Sequence, residues 1–598
     1  MKPTMEILAQ INKNSNKNHE KTFTRLYRYL LRPDIYYIAY KNLYANNGAA
    51  TQSVNNDTAD GFSEEKINQI ITILNNEHYK PCPTKRIYIE KTNGKKRPLS
   101  IPTFTDKLIQ EALRMILEAV YEPIFLSCSH GFRPNKSCHT ALTDIRHELG
   151  GARWFIEGDF KACFDNIDHT LLIKQIQKKI KDARLIKLIY KFLKAGYLED
   201  FQYHKTHSGT PQGGVLSPLL SNIYLHQLDK FVMTILKPEF DSPPKQQLTS
   251  RYHFLSNKMT ALKKRINETN GPQRHQYIKE YKTTRAMLLK TPCKLQIDKK
   301  LEYVRYADDT IFGINGNRKD CIWIKQRLTE FAASLKMELN SEKTLITHSS
   351  QYARFLSYNI RVRRNSIIKP AGSSYRTKRT LMNHMELSIP LEDKISHFIL
   401  SKGIAKIQDG SFVPVHRGAL LCCTDLEIVA VYNAELRGKC NYYGMASNFH
   451  QLRYFAYLME YSCLRTLAAK HQCSSQKIRC KCQDGKGCWG IPYETKEGSK
   501  RMYFAKYAES KKIYVSAADD VMSNALLIYS RSVTTLESRL KAKKCELCGV
   551  TGGCRFEVHH VNKVKNLKGK LPWERVMIAK RRKTLVVCKD CHYMIHNP

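Results

Sequence analysis

Acidic residues are scarce in this chain: 54 Asp and Glu face 98 Lys and Arg, leaving a net charge of +44 over 598 residues. A balance this basic points to a polyanionic partner. RNA binding, nucleic-acid enzymology and membrane-surface binding stay open on charge alone. Long apolar runs are missing as well. No segment approaches the roughly 20 apolar residues that a membrane span needs, and Met1-Lys-Pro-Thr-Met-Glu-Ile-Leu lacks the apolar core of a secretion signal. The 19 cysteines form no regular secreted framework, so they read as reduced thiols with a subset on metal. There is no internal repeat and no long heptad run. What remains is a large multidomain protein of the cytosol, placed on DNA or RNA and not in a membrane.

Chemistry concentrates at Tyr306-Ala307-Asp308-Asp309. The tetrapeptide lies between the apolar stretches Leu301-Glu-Tyr-Val-Arg305 and Thr310-Ile-Phe-Gly313 and predicts a β-hairpin with two carboxylates at its turn. Adjacent acids repel unless a cation neutralises them; the plain alternative is a solvated acidic turn. Enzymes that join nucleotides need such a pair, with a third carboxylate, to hold two Mg2+ ions. The third is expected at Asp159, closing the strand-like run Arg153-Trp-Phe-Ile-Glu-Gly-Asp159. Five residues on, the ring of Phe164 can lie under a nucleotide sugar, where it would clash with a ribose 2′-OH and favour dNTPs. The plain alternative for Asp165 or Asp168 is a cap for the helix that follows. The basic turn Asn93-Gly-Lys-Lys-Arg-Pro98 could clamp a triphosphate through Arg97. In Gly209-Thr-Pro-Gln-Gly-Gly214, Gly213 lets backbone approach a base or sugar and Gln212 offers an amide. Lys343 is either aimed at the incoming phosphates or an ordinary solvated charge.

These blocks, with His130-Gly-Phe-Arg-Pro134 and Phe355-Leu-Ser-Tyr358, resemble those of the group II intron-encoded reverse transcriptases. The likeness runs essentially end to end. It implies a multidomain α+β chain: an RNA-binding N-terminal extension (1–70) and the fingers and palm of a right-hand polymerase (71–361). The chain departs from the family at Thr310, usually an aromatic, and at Ser357, usually Gly; neither change removes a metal ligand. Residues 11–20, rich in Asn and Lys, are expected to be mobile. The stretch 245–300 carries 14 Lys and Arg against three acids at helical spacing, as an RNA-gripping insertion or a solvated helical hairpin would. Residues 375–475 read as mostly helical. Within them Tyr432-Asn-Ala-Glu-Leu-Arg437-Gly-Lys-Cys-Asn441-Tyr442-Tyr443 interleaves polar and aromatic residues. Arg437 can pair with phosphate beside Asn441, and Tyr442 or Tyr443 can stack on a base, unless the rings pack inward. This block resembles the family's maturase, or X, domain, which implies a helical thumb (362–489) that binds intron RNA. The basic segment 490–544 corresponds to the family's DNA-binding region.

The C-terminus carries Cys545-Glu-Leu-Cys548 and Cys588-Lys-Asp-Cys591, paired knuckles that predict a structural Zn2+ in a domain too small for much core. Glu557-Val-His559-His560 lies between the pairs, and His592 and His596 share one helical face after them. The arrangement resembles an HNH, or ββα-metal, nuclease domain (545–598); the alternative is a structural zinc ribbon that binds DNA. By the resemblance His560 is the general base, while His559, His592 and His596 hold one Mg2+ or Mn2+. The middle Asn of the motif is unassigned: Asn566 falls early and Thr584 stands near its place. Residues 563–583 hold nine Lys and Arg and one acid, Glu574, which suits a phosphate-binding surface. Cys473, Cys480, Cys482 and Cys488 form a second, irregularly spaced cluster. The resemblance implies a multifunctional protein that helps its intron RNA splice, nicks a double-stranded DNA target and extends the nick by reverse transcription. Its alternative is an RNA-binding splicing factor with weak or lost nuclease activity.

Overall fold

The strand Trp154–Gly158 is interior to a four-stranded antiparallel sheet, ordered Leu345–His348, Trp154–Gly158, Asp309–Asn315, Lys300–Tyr306. Strand side chains alternate between faces, and here both faces are apolar and buried. Ile156, Phe312 and Tyr303 point into one core, while Phe155, Ile311 and Val304 point into another. The sheet therefore divides the chain's two hydrophobic cores. This computed structural model describes residues 2–46, 48–90, 94, 96–243, 246–296, 298–364, 368–371, 374–379, 384–484, 488–495, 498–510 and 535–597.

The first core is built on the helices Phe104–Tyr121, Ser217–Phe231 and Arg318–Ser334. It extends into the N-terminal helices and the C-terminal knuckle domain, whose Val558, Leu585 and Val587 belong to the same cluster. Beside it lies a second sheet, ordered Lys96–Ile101, Thr84–Glu90, Tyr197–Glu199, Gln202–His204. Most of the turn joining its first two strands (91–93 and 95) is outside the described residues. The second core holds the strands around residues 353–389 and the helices Asp425–Tyr442 and Leu452–Lys470.

Two local expectations change. Residues 11–17 are not mobile but continue the helix Thr4–Lys17, which buries Met5, Leu8 and Ile11. Their Asn and Lys side chains form the solvent face of an amphipathic helix, and Asp34 accepts hydrogen bonds from the Thr4 amide and hydroxyl at 2.6 and 2.7 Å. The region read as mostly helical also contains the strand His384–Ser388 and a hairpin, Ala405–Gln408 with Ser411–Pro414. The Asp409-Gly410 pair at its turn is the local signal for this hairpin. The insertion at 245–300 is indeed two helices, Ser250–Glu268 and Pro272–Lys290. Of the basic segment, Gly490–Thr495 and Gly498–Tyr503 form a hairpin, and residues 511–534 are outside the described residues. Among the described residues, no helix is long and apolar enough to cross a membrane.

Candidate active sites

The acidic hairpin forms as expected: Tyr306 pairs with Asp309 across an Ala307-Asp308 turn. Thr310 lies opposite Gly158, so the sheet register sets Asp159, the next residue, beside both turn carboxylates. Asp159 accepts a 2.6 Å bond from Lys343 Nζ, and this bond raises the lysine's pKa. Burial, followed by the charges of Asp308 and Asp159, pushes Asp309 up to about 6. Asp308 is raised chiefly by burial. Three carboxylates against one ammonium leave uncompensated negative charge, so this donor set fits divalent cations.

What aims the turn was not read from the sequence. Arg305 and Asp229 are both fully buried and joined by two bonds, Nε to Oδ1 at 2.8 Å and Nη2 to Oδ2 at 2.7 Å. Arg305 Nη1 also donates to the Ala307 carbonyl at 2.8 Å, which ties the turn to this ion pair. From the other side, Gly131 of the His-Gly-Phe-Arg-Pro block presses on the turn. A Cβ there would lie 2.4 Å from Ala307 N. The available signal was a pair of charges stranded in apolar segments, one on a strand and one on a helix. The departure at Thr310 is absorbed, since its buried hydroxyl donates to Gly158 O at 3.0 Å.

The nucleotide-binding candidates converge next to these acids. Gln212 accepts from Arg97 Nε at 3.0 Å and donates to Asp165 Oδ2 at 3.3 Å. Asp165 is therefore part of this cluster, not a helix cap. Asp168 is the cap, accepting from Leu171 N at 2.8 Å. Phe164 is half-buried, and its carbonyl accepts from Thr210 N at 2.7 Å, binding the two loops together. Gly213 has φ +110°, and a Cβ there would lie 2.5 Å from Ser100 O.

On the helix Asp425–Tyr442, Arg437 is exposed. Tyr443 is 2 % exposed and packs on Tyr358 with ring centroids 5.2 Å apart. It is a core residue, not a stacking platform, because the pattern's polar spacing hides which side of the helix faces inward. Tyr442 is half-buried and its hydroxyl donates to Leu356 O at 2.7 Å. Asn441 is partly buried beside them. Among the described residues, no three thiols of Cys473, Cys480, Cys482 and Cys488 gather at ligand distance.

The C-terminal domain shows the two strands and helix of a ββα unit: Phe556–His560, Thr584–Cys588 and Lys589–His596. The sulfurs of Cys545, Cys548, Cys588 and Cys591 all lie within 4.8 Å of one another, with Cys548 and Cys588 at 3.8 Å. Sulfurs about 2.3 Å from a tetrahedral Zn2+ stand about 3.8 Å apart, so the thiols fit that ion. His559, His592 and His596 converge in a second cluster. Glu557 Oε2 lies 2.6 Å from His592 Nδ1, the carboxylate that a metal-binding imidazole uses to fix its tautomer; local spacing does not reveal this contact, which spans 35 residues. The second cluster also contains Asp60, from the N-terminal region. Burial lowers the pKa of His560, which keeps its ring neutral. Thr584 is directly across the sheet from His560, and Arg539 Nη1 donates to its hydroxyl at 3.2 Å.

Three protein families match successive parts of the chain. Reverse transcriptase (RNA-dependent DNA polymerase) matches residues 89–252. Type II intron maturase matches 382–485, and AI2M/AI1M-like HNH endonuclease matches 545–592. The group II intron-encoded protein LtrA of Lactococcus lactis subsp. cremoris is 58% identical over 601 residues, covering all of both chains. An uncharacterized 91 kDa protein in the cob intron of Schizosaccharomyces pombe is 35% identical, over 95% of this chain and 69% of its own. A putative COX1/OXI3 intron 1 protein of Saccharomyces cerevisiae is 31% identical, over 97% and 70%. With a palm, a maturase domain and an HNH unit in one polypeptide, the chain belongs to the group II intron-encoded proteins, as a reverse transcriptase, maturase and HNH endonuclease.

Proposed function

We propose that the polymerase is carried by Asp159, Asp308 and Asp309 and the nuclease by His560 with His559, His592 and His596. When bound, divalent ions at these sites would activate the attacking oxygen and stabilise the charge on the phosphate. Arg97 and Gln212 orient an incoming dNTP, with Gly213 giving close backbone approach. The Phe164 ring excludes a 2′-OH. Lys343, which donates to Asp159 here, would be free to bind the triphosphate when divalent cations neutralise the acids. In the nuclease, neutral His560 removes the proton from the attacking water. The basic run 563–583 holds the DNA, and Arg437 and Asn441 face intron RNA. Cys545, Cys548, Cys588 and Cys591 hold a structural Zn2+. The nick leaves the 3′-OH that the palm extends on intron RNA, which is a physical reason for fusing the two activities, and the setting is the cytosol.

The observation that carries this reading is the sheet register, which sets three carboxylates together beside a basic and amide cluster. The test uses the protein with its intron RNA, a labelled duplex bearing the insertion site, Mg2+ and dNTPs. Bottom-strand nicking followed by dNTP-dependent growth of the new 3′ end is expected. The double variant D308A/D309A should abolish synthesis while RNA binding persists. Splicing help with neither DNA product would leave the splicing-factor reading.

A further inference from the structure

The nuclease is not a free-standing body here. Its edge strand Phe556–His560 is extended by a short strand of the N-terminal region, with Phe62 opposite Val558 and Ser63 opposite Glu557. Gly61 N donates to Val558 O at 3.0 Å, and Phe62 stacks on Tyr40 at 4.0 Å. This junction brings Asp60 to the histidine cluster. Asp60 Oδ2 lies 2.8 Å from His596 Nε2 and 3.2 Å from His592 Nε2, and Oδ1 lies 3.3 Å from His559 Nδ1. His592 Nε2 and His596 Nε2 are 3.3 Å apart.

Two observations give these distances a chemical meaning. Nitrogen and oxygen ligands about 2.1 Å from an ion stand about 3.0 Å apart at right angles and about 3.4 Å apart in a tetrahedron, close to the spacings seen. In addition, His559 is 3 % exposed, its Nε2 makes no hydrogen bond, and its Nδ1 faces only the Asp60 carboxylate at 3.3 Å. A buried imidazole nitrogen left without a partner is costly unless a ligand completes the ring.

The same junction covers the general base. His560 Nε2 faces the Tyr44 carbonyl at 3.0 Å, its backbone N donates to Asp60 Oδ1 at 2.6 Å, and the residue is 8 % exposed. A carbonyl only accepts, so this bond requires the proton to sit on Nε2. A general base must come within hydrogen-bond reach of the attacking water, and His560 is walled off from a DNA duplex here.

We propose that Asp60 is the fourth ligand of a divalent-metal centre with His559, His592 and His596, and that this centre clasps the nuclease shut until a DNA phosphate displaces it. Asp60 occupies a position that a catalytic centre keeps open for substrate. A phosphodiester and a carboxylate are both hard oxygen anions, so the scissile phosphate is the competitor for the position Asp60 fills. Displacement frees Asp60, parts the Phe62–Val558 pairing and uncovers His560. No covalent step is involved.

This inference rests on the nuclease reading of the four histidines. The full chain is tested, with Mn2+ as the probe. Mn2+ binding is followed by electron paramagnetic resonance in a D308A/D309A background, so that the palm does not contribute. Hydrogen exchange of residues 60–63 and 556–560 is followed with and without Mn2+. Asp60→Ala should weaken Mn2+ at this centre at least tenfold. It should also abolish Mn2+-dependent protection of residues 60–63 and, in the ribonucleoprotein with an intact palm, speed nicking of target DNA several-fold. Unchanged Mn2+ affinity in Asp60→Ala overturns the ligand role. Loss of nicking in Asp60→Ala overturns the clasp, because Asp60 would then serve catalysis. The nuclease reading fails separately: His560→Ala would then nick as fast as the wild type. Asp60→Asn, which keeps shape but not charge, guards against misfolding and should also weaken Mn2+ and speed nicking.

Discussion

Arg305 shows how one residue can govern a site it does not belong to. Its guanidinium is buried, paired with buried Asp229, and holds the carbonyl of the acidic turn. Removing one member of a buried pair leaves an uncompensated charge and costs about 3–5 kcal/mol. Arg305→Met should lower stability to denaturant by about that much and abolish DNA synthesis. Arg305→Lys should not restore synthesis, since an ammonium cannot make the two-pronged contact. A synthesis-competent Arg305→Met would sink this account. His226 acts through pH. It is buried with neither ring nitrogen hydrogen-bonded, and burial lowers it to about 4 from an unfolded value of 6.5. Between these values the unfolded chain binds a proton that the folded chain refuses. Stability is therefore intact above pH 6.5 and falls as pH drops toward 4, by roughly 3 kcal/mol. Urea titrations across that window should show the slope in the wild type and a flatter one in His226→Phe.

At the scale of elements, the hairpin Phe355–Tyr358 turns through Leu356 and Ser357, both at positive φ (47° and 58°). Such two-residue turns favour Gly or Asn because other side chains are strained there. Ser357→Gly should raise stability by about 0.5–1 kcal/mol, seen as a higher Tm; a lower Tm would mean that the Ser357 side chain contributes more than its strain costs. Tyr442 and Tyr443, at the end of the helix Asp425–Tyr442, meet the same hairpin. Tyr358 packs against both rings, so this turn is tied to the end of the helix Asp425–Tyr442.

At the scale of the molecule, the palm sheet separates two cores, and one of them runs without a break from the N-terminal helices to the cysteine knuckles. Folding of the C-terminal domain is therefore coupled to the N-terminal region through Phe62 and Val558. Replacing Cys548 by Ser should loosen residues 60–63 as well as 556–560, measured by hydrogen exchange. Loosening confined to residues 545–597 would show that the two fold independently. The basic surface acts at this scale too. Each lysine that neutralises a phosphate contributes about one unit to the salt slope of DNA binding, so the double variant K568A/K570A should flatten that slope by about two.

The sequence by itself determined the chemistry of this protein. The acidic turn, the strand ending at Asp159, the paired knuckles and the histidine spacing are local patterns, because strand, turn and helix periods are set by near neighbours. It also carried the maturase block, though not which tyrosine faces inward, since an α-helix shows its buried side only against a partner. The tertiary structure alone decided what lies far apart in the chain. Arg305 meets Asp229 across 76 residues, Gln212 meets Asp165 across 47, and Asp60 meets His596 across 536. No spacing rule links such pairs. They are brought together by the burial of apolar faces in a shared core, and Asp60, in a polar loop with no motif around it, gained a role only through where that core placed it.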